Sequence, residues 1–463
     1  MVRKSNLEFR VLVAVVVTAV FMTNLDLWIV NVALVSIRSD LHVSLSAVSW
    51  VLNAYAVTLA ALLVPAGRLG DRIGHRTLFQ AGIATFTLAS VACALAPNID
   101  VLVAARVVQA AGAAAQLPSS LALLLGAVGA ERRLAAARGW AAVGALAAVA
   151  GPVLGGLLVT VSWRWVFMVN LPVGALAWLA GAWALPRRER HSSEPMPDAV
   201  ASLLLVVAVG CLTAALVEAP TWGWASVATA AMFLAAAVAG AWFVHRCRTQ
   251  PNPMIELSLV RVRPFTLAST ATFLFGAAFA IMLLSNALWC QTVWHYSALK
   301  TGLAMAPGPA MVPVVTFASA RLVQRVGPGR VAAIGSVVFA GSQLWRVVTA
   351  SGDVDYLRDL LPSMLLGGLG VGLALGTLIA AGVTALPPHR SGTGSAIVNS
   401  VRQVASTLGV AVLVTVLASD ASVHGYRVAW VIAAAVSLLA ALVSAALPYV
   451  RATAPRELST AVA

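Results

Sequence analysis

Apolar stretches of about 20 residues recur along the whole chain, and this pattern constrains the fold more than any other feature. Each stretch is long enough to cross about 30 Å of hydrocarbon as a helix. Of the 463 residues, 60% are hydrophobic and only 10% are charged, which excludes an ordinary soluble domain. Short alternating strands, the pattern of a membrane barrel, are absent. The hydropathy predicts fourteen spans, at 11–37, 48–66, 77–97, 101–125, 137–160, 165–185, 199–217, 225–244, 266–289, 302–320, 331–350, 361–385, 395–418 and 427–449. The expected class is an all-α membrane protein.

The formal net charge is +14, and its distribution carries the topology. With these spans, 22 of the 30 Lys and Arg fall in one set of loops and in the two termini. The opposite loops hold Arg38, Arg164, Lys300, Arg358 and Arg427, and the spans hold Arg106, Arg346 and Arg402. Positive charge marks the cytoplasmic side, so both termini are expected there, which requires an even number of spans. The basic excess therefore reads as orientation plus contact with anionic lipid, and no nucleic-acid partner is expected. Lysine occurs only at Lys4 and Lys300; with the abundant alanine, this composition suggests a GC-rich bacterial genome, and a multi-pass place in the bacterial cell (inner) membrane is the expectation. Cys93, Cys211, Cys247 and Cys290 are widely spaced, so neither a disulfide framework nor a zinc site is indicated. Arg3, Lys4 and Arg10 precede an apolar run that is long and contains Asp26, which reads as a retained span rather than a cleaved signal.

The long polar breaks fall at 187–198 and 245–263. They divide the chain into an N-terminal six-helix bundle (1–186), a linker with two extra spans (187–263), and a C-terminal six-helix bundle with a short tail (264–463). An internal repeat supports two related halves. Gly67-Arg-Leu-Gly-Asp-Arg-Ile-Gly-His-Arg76 follows the second span, and Ala320-Arg-Leu-Val-Gln-Arg-Val-Gly-Pro-Gly-Arg330 occupies the matching place later. The second copy has Gln324 where the first has Asp71. Two parallel halves rocking about a central cavity are the expected architecture.

Asp26 is the one carboxylate expected deep in a span; Glu218 and Asp420 fall near helix ends. A charge at membrane depth costs about 2.5–3.5 kcal/mol on insertion scales, so its presence points to function. The two readings are a proton-coupling site and a neutral Asp bonded to a neighbouring helix. Arg106 and Gln109 share a helical face, and a buried arginine remains charged. Its readings are a partner of Asp26 and a structural or snorkelling cation. Gly144, Gly151, Pro152, Gly155 and Gly156 give one span a small-residue surface for close packing, with Pro152 a source of a kink. Gly368, Gly372 and Gly376 form a similar stripe. Asn399 and Gln403 are four apart and face either a substrate or another helix.

Several of these segments resemble the major facilitator superfamily, and in particular its fourteen-span drug:proton antiporters. Gly67–Arg76 resembles the loop between helices two and three; there Gly67, Gly70, Asp71, Arg72, Gly74 and Arg76 would act as a gating latch, with Asp71 pairing across to the other half. Leu25–Leu34 resembles the first-helix motif, in which the acid corresponding to Asp26 is associated with proton coupling. Trp28 stands where the family often has Thr. Arg106–Gly112 resembles the fourth-helix motif, Gly151–Gly156 the antiporter motif of exporters, Ser162–Gly174 the opening of the sixth span, and Gly392–Gly409 the thirteenth helix. Gln291 and Tyr296–Pro307 resemble the loop between helices nine and ten.

The resemblance implies a monomeric, proton-driven exporter of small amphipathic compounds working by alternating access, with no cofactor and no enzymatic activity. Asp26 and Arg106 would couple the proton; Trp28, Asn31, Gln109, Asn399 and Gln403 would line the cavity. Partners would be protons, membrane lipids and the substrate. Lipid or lysolipid export by the same fold, a proton-coupled importer, and a non-transporting membrane sensor are the alternatives. Three arginines against one aspartate within the spans imply a net positive core and poor transport of divalent cations.

Overall fold

The computed structural model describes residues 6–129, 132–186, 198–386 and 391–448. All regular structure among them is helical, and fourteen helical segments are long and apolar enough to cross a membrane. Most of the predicted polar linker and the C-terminal tail lie outside the described residues. The first six spans are α1 (Asn6–Asp40), α2 (Leu45–Ile73), α3 (His75–Ala94), α4 (Ile99–Ala127), α5 (Arg133–Val159), and the broken pair α6 (Trp165–Met168) and α7 (Asn170–Ala184). Two further spans follow, α8 (Ala199–Trp222) and α9 (Val227–Thr249). After the short α10 (Leu257–Val260) come α11 (Arg263–Leu288), α12 (Ala298–Met305) with α13 (Pro307–Ala318) and α14 (Ala320–Val326), α15 (Pro328–Thr349), α16 (Leu361–Thr384), α17 (Ser391–Ser419) and α18 (Val423–Ala445). π-helical turns at Trp289–Val293 and Tyr356–Leu360 extend α11 and precede α16.

The first six spans pack chiefly on one another, through α3 on α4, α1 on α5 and α2 on α4. The last six do the same through α15 on α16, α15 on α18 and α11 on α17. α8 leans on both sets, touching α2 and α17, and Thr415 on α17 donates to the Leu216 carbonyl of α8. α9 packs on α8 and leaves much of its apolar surface outward, including Phe233, Leu234, Val238 and Trp242. In a spanning helix such a face is the lipid face.

The near end of the bundle is defined here as the end where α1 begins, and the far end as the end where α1 finishes at Asp40. The two sets meet tightly at the far end. A Cβ on Gly156 of α5 would run into the backbone of Ala298 and Leu299, and a Cβ on Gly302 of α12 into the Pro152 carbonyl. Gln291 donates to the Val32 carbonyl of α1 across the same boundary, 3.0 Å away. The small-residue stripe of α5 therefore has two faces. Gly144, Gly151 and Gly155 lie against Asn24, Trp28 and Ile29 of α1, while Pro152 and Gly156 lie against α12.

The polar island at 67–76 is not a long loop. α2 continues through it to Ile73, and the chain turns on Gly74 alone, whose φ of 96° suits only glycine. The Gly74 N–H closes the helix on the Gly70 carbonyl at 2.9 Å. The repeat does the same: Gly327 has a φ of 93° and its N–H reaches the Val323 carbonyl at 3.0 Å. Chain reversal at the membrane surface thus uses one glycine in each half. Trp165 is half exposed as an interfacial residue would be, but Trp163 is buried and donates to Asp40.

Candidate functional site: a buried ion pair between the first and fourth spans

Asp26 lies a little past the middle of α1 and is 1% exposed. Arg106 and Gln109, one turn apart on α4, meet it from the facing helix. Arg106 forms an ion pair with Asp26 Oδ2 through Nη1, and Gln109 donates to Oδ1 at 3.0 Å. The other guanidinium contacts are also satisfied. Nε donates to the Val51 carbonyl of α2 at 3.0 Å, Nη1 reaches Gln109 Oε1 at 2.6 Å, and the cation sits 4.1 Å above the Tyr55 ring. Gln109 further donates to Ser90 Oγ at 2.7 Å, and Asn170 donates to the same hydroxyl. Residues of five helices, α1, α2, α3, α4 and α7, thereby join one network around the carboxylate. Burial makes each ion costly unless it is paired and its hydrogen bonds are met, and here both conditions hold.

Protonating this carboxyl would remove the charge that Arg106 pairs with. The guanidinium keeps its charge at any accessible pH, so proton binding converts a neutral pair into an unbalanced cation.

The remaining predicted residues divide into groups. Trp28 is half buried, two residues on from Asp26 and so on the other side of α1, and its ring meets Phe279 of α11 edge-on at 5.7 Å between centroids. Phe279 continues to Phe339 and Phe275, so Trp28 joins the two halves through an aromatic row. Asn31 and Asn399 each donate to a carbonyl four residues back in their own helix, Leu27 and Ser395. Gln109 is fully buried and serves as a clamp on Asp26 rather than lining an open cavity. Gln403 is buried on α17. Gly67 lies beside Pro118. Asp71 pairs not with the opposite half but with His75, one turn away across Gly74, at 3.0 Å and about half exposed. Arg76 donates to the Ala182 carbonyl of α7, and Arg72 also has a partner.

A second buried pair escaped the sequence reading. Asp359 is 2% exposed and forms an ion pair with Arg346, which is fully buried. Thr349 donates to its Oδ1 at 2.9 Å. The Arg346 cation lies over Trp430, Trp289 and Trp294 at 4.3, 5.1 and 5.8 Å. Asp26 is therefore not the one membrane carboxylate, and the predicted charge imbalance shrinks to Arg402. The available signal was that Arg346 ends α15 while Asp359 begins the antiparallel neighbour at the same membrane face.

Two sets of six spans, two further spans beside them and a buried ion pair within each set are the architecture of a membrane transporter. The sequence pattern of the Major Facilitator Superfamily matches residues 16–410, and the chain belongs to that family. It is 37% identical over 402 residues to a protein named Multidrug resistance protein Stp of Mycobacterium tuberculosis, covering 86% of this chain and 74% of that one. It is 34% identical to the Tetracenomycin C resistance and export protein of Streptomyces glaucescens, covering 87% and 75%. With the Methylenomycin A resistance protein of Streptomyces coelicolor it shares 32% over 91% of this chain and 87% of that one. Among solved structures, a peptide transporter POT in complex with sulfate superposes with a TM-score of 0.67 at 14% identity, over 94% of this chain and 93% of that one. That likeness is one of fold alone.

Proposed function

We propose that the protein is a proton-coupled exporter of small amphipathic molecules, such as drugs, antibiotics or secondary metabolites, in a bacterial inner membrane. The observation that carries the proposal is the Asp26–Arg106–Gln109 centre, a buried carboxylate within a spanning helix held by a permanent cation. The names of the relatives, which speak of resistance and export, support the direction of transport.

In this reading the near end is cytoplasmic, and the far-end seam of α5 with α12 belongs to a state closed to the outside. Protonation of Asp26 from outside releases Arg106 and favours one state. Loss of the proton inside restores the pair and accompanies capture of substrate. The half-buried Trp28 and Phe279 at the start of the aromatic row supply apolar contact for an amphipathic cargo, with Asn31, Asn399 and Gln403 as the polar groups assigned to it. Asp71 and its glycine turn act at the gate, through a contact with His75 within the first half. The working unit is a monomer, driven by the proton gradient, with no cofactor.

Asp26 and Asp359, the buried carboxylates of the two six-helix sets among the described residues, are committed to arginines, so the site suits neutral, zwitterionic, anionic or singly cationic amphiphiles. The test is flux in proteoliposomes under an imposed proton gradient. Ethidium should be moved by the wild type and not by Asp26→Asn. Efficient Asp26-dependent transport of a bis-quaternary dye would contradict the assigned cargo class.

A further inference from the structure

A column of buried polar groups leads from Asp26 towards the near end, and the ion pair does not use it. Thr23 lies one turn below Asp26 on α1 and is fully buried. Gln116 of α4 donates to its hydroxyl, while Gln116 Oε1, buried, has no protein partner. Next along α4 is Ser119, fully buried, its hydroxyl also without a protein partner. Gln116 and Ser119 lie seven and ten residues beyond Gln109, so they descend about 10 and 15 Å along the helix. At the bottom is His75. Its Nδ1 is buried and unpartnered, and both Nδ1 and Ser119 Oγ lie within 3.3 Å of the point that a Cβ on Gly70 would occupy. The absent side chain at Gly70 is what lets the imidazole sit there.

The tautomer follows from Asp71. A carboxylate only accepts, so the 3.0 Å contact with Asp71 Oδ1 puts the proton of a neutral His75 on Nε2. Nδ1 is then a bare lone pair turned towards the buried column, while Nε2 and the half-exposed Asp71 face the surface. Three unpartnered buried polar atoms in a row are sites for bridging waters.

We propose that His75 is the proton acceptor at the near-end outlet of a route from Asp26. This inference rests on the proton-coupled reading above and adds the path. The proton leaves the Asp26 carboxyl, which returns to its pair with Arg106. It passes through waters held by Thr23, Gln116 and Ser119, and binds His75 Nδ1. The imidazolium then gives up the Nε2 proton, past Asp71, to surface water, which leaves the neutral ring protonated at Nδ1; rotation of the side chain to the surface, where Nδ1 releases its proton to water and Nε2 takes one, resets the starting tautomer with no net change in protons. Of the charged residues close in sequence, Arg72 has a partner and Arg76 is held by the Ala182 carbonyl; α4 presents Ser119.

Time-resolved infrared spectroscopy of the full chain in lipid nanodiscs after an upward pH jump tests this without a substrate. The carboxyl band missing in Asp26→Asn identifies Asp26. In His75→Gln its loss should slow by about 10²-fold, the low end of what one positioned proton-transfer group contributes. In His75→Gly added imidazole should restore the rate, which a merely structural histidine would not allow. Wild-type rates in both variants, or a slowed His75→Gly that imidazole does not rescue, would overturn the route. Absence of any titrating Asp26 band in the wild type would overturn the coupling reading itself, and that outcome is seen before any histidine variant is made.

Discussion

The two halves each bury one arginine–aspartate pair, but they build it from different materials. Arg106 is surrounded by acceptors: Asp26, Gln109 Oε1, the Val51 carbonyl and the face of Tyr55. Arg346 is surrounded by tryptophans, and its nitrogens form no regular hydrogen bond although Asp359 is in ion-pair contact. A pair set in a polar network can lose its anion and still satisfy the cation in part. A pair set in an aromatic box cannot. The first arrangement suits a charge that comes and goes, and the second suits a permanent fastening of α15 to the start of α16.

Neutralising each acid in turn breaks this comparison if it is wrong. Asp359→Asn strands Arg346 and should cost about 3–5 kcal/mol, read as a fall in thermal stability in detergent. Asp26→Asn should cost less, about 1.5–3 kcal/mol, because Arg106 keeps its other acceptors. Equal losses would remove the distinction between a switching pair and a fixed one.

The seam between the halves gives the next effect in size. Gly302→Val places side-chain atoms against the Pro152 backbone and should cost about 1–3 kcal/mol as overpacking. It should also raise labelling of a cysteine placed at Leu299 by a membrane-impermeant thiol reagent, since the far end is forced apart. Unchanged labelling would mean that the seam does not hold that end closed. Trp28→Ala removes one edge-on aromatic contact beyond its buried area, worth about 0.5–1.5 kcal/mol, and should change which dyes are moved while leaving coupling intact. The smallest stability effect belongs to Asp71→Asn. Its partner is an i+4 histidine at a half-exposed site, so about 0.3–0.5 kcal/mol is expected. A shift of several kcal/mol would point to a latch partner other than His75.

Much of this was readable from the residues. The fourteen spans were visible because lipid demands a long apolar run for each crossing, a local property of sequence. Asp26 and Arg106 stood out because charge is expensive there. What the sequence hid depends on contacts between helices. Asp359 follows Arg358 in a short polar stretch, so hydropathy placed it outside, yet the chain folds the Arg346 cage around it. The Gly67–Arg76 island carries enough charge to resemble a loop, but its residues stay helical to Ile73 because one left-handed glycine suffices for the turn. Gly151 and Gly156 belong to one motif and face different helices, which only the packing of α5 between α1 and α12 reveals.

The central claim is that proton coupling resides in the first-half pair and not in the second. Proton uptake and ethidium flux measured together in proteoliposomes test it most directly, with Asp26→Asn and Asp359→Asn compared at equal amounts of folded protein. The account predicts that Asp359→Asn still moves protons against ethidium at the wild-type ratio, while Asp26→Asn moves none. Intact coupling in Asp26→Asn, or its loss in a folded Asp359→Asn protein alone, would contradict it.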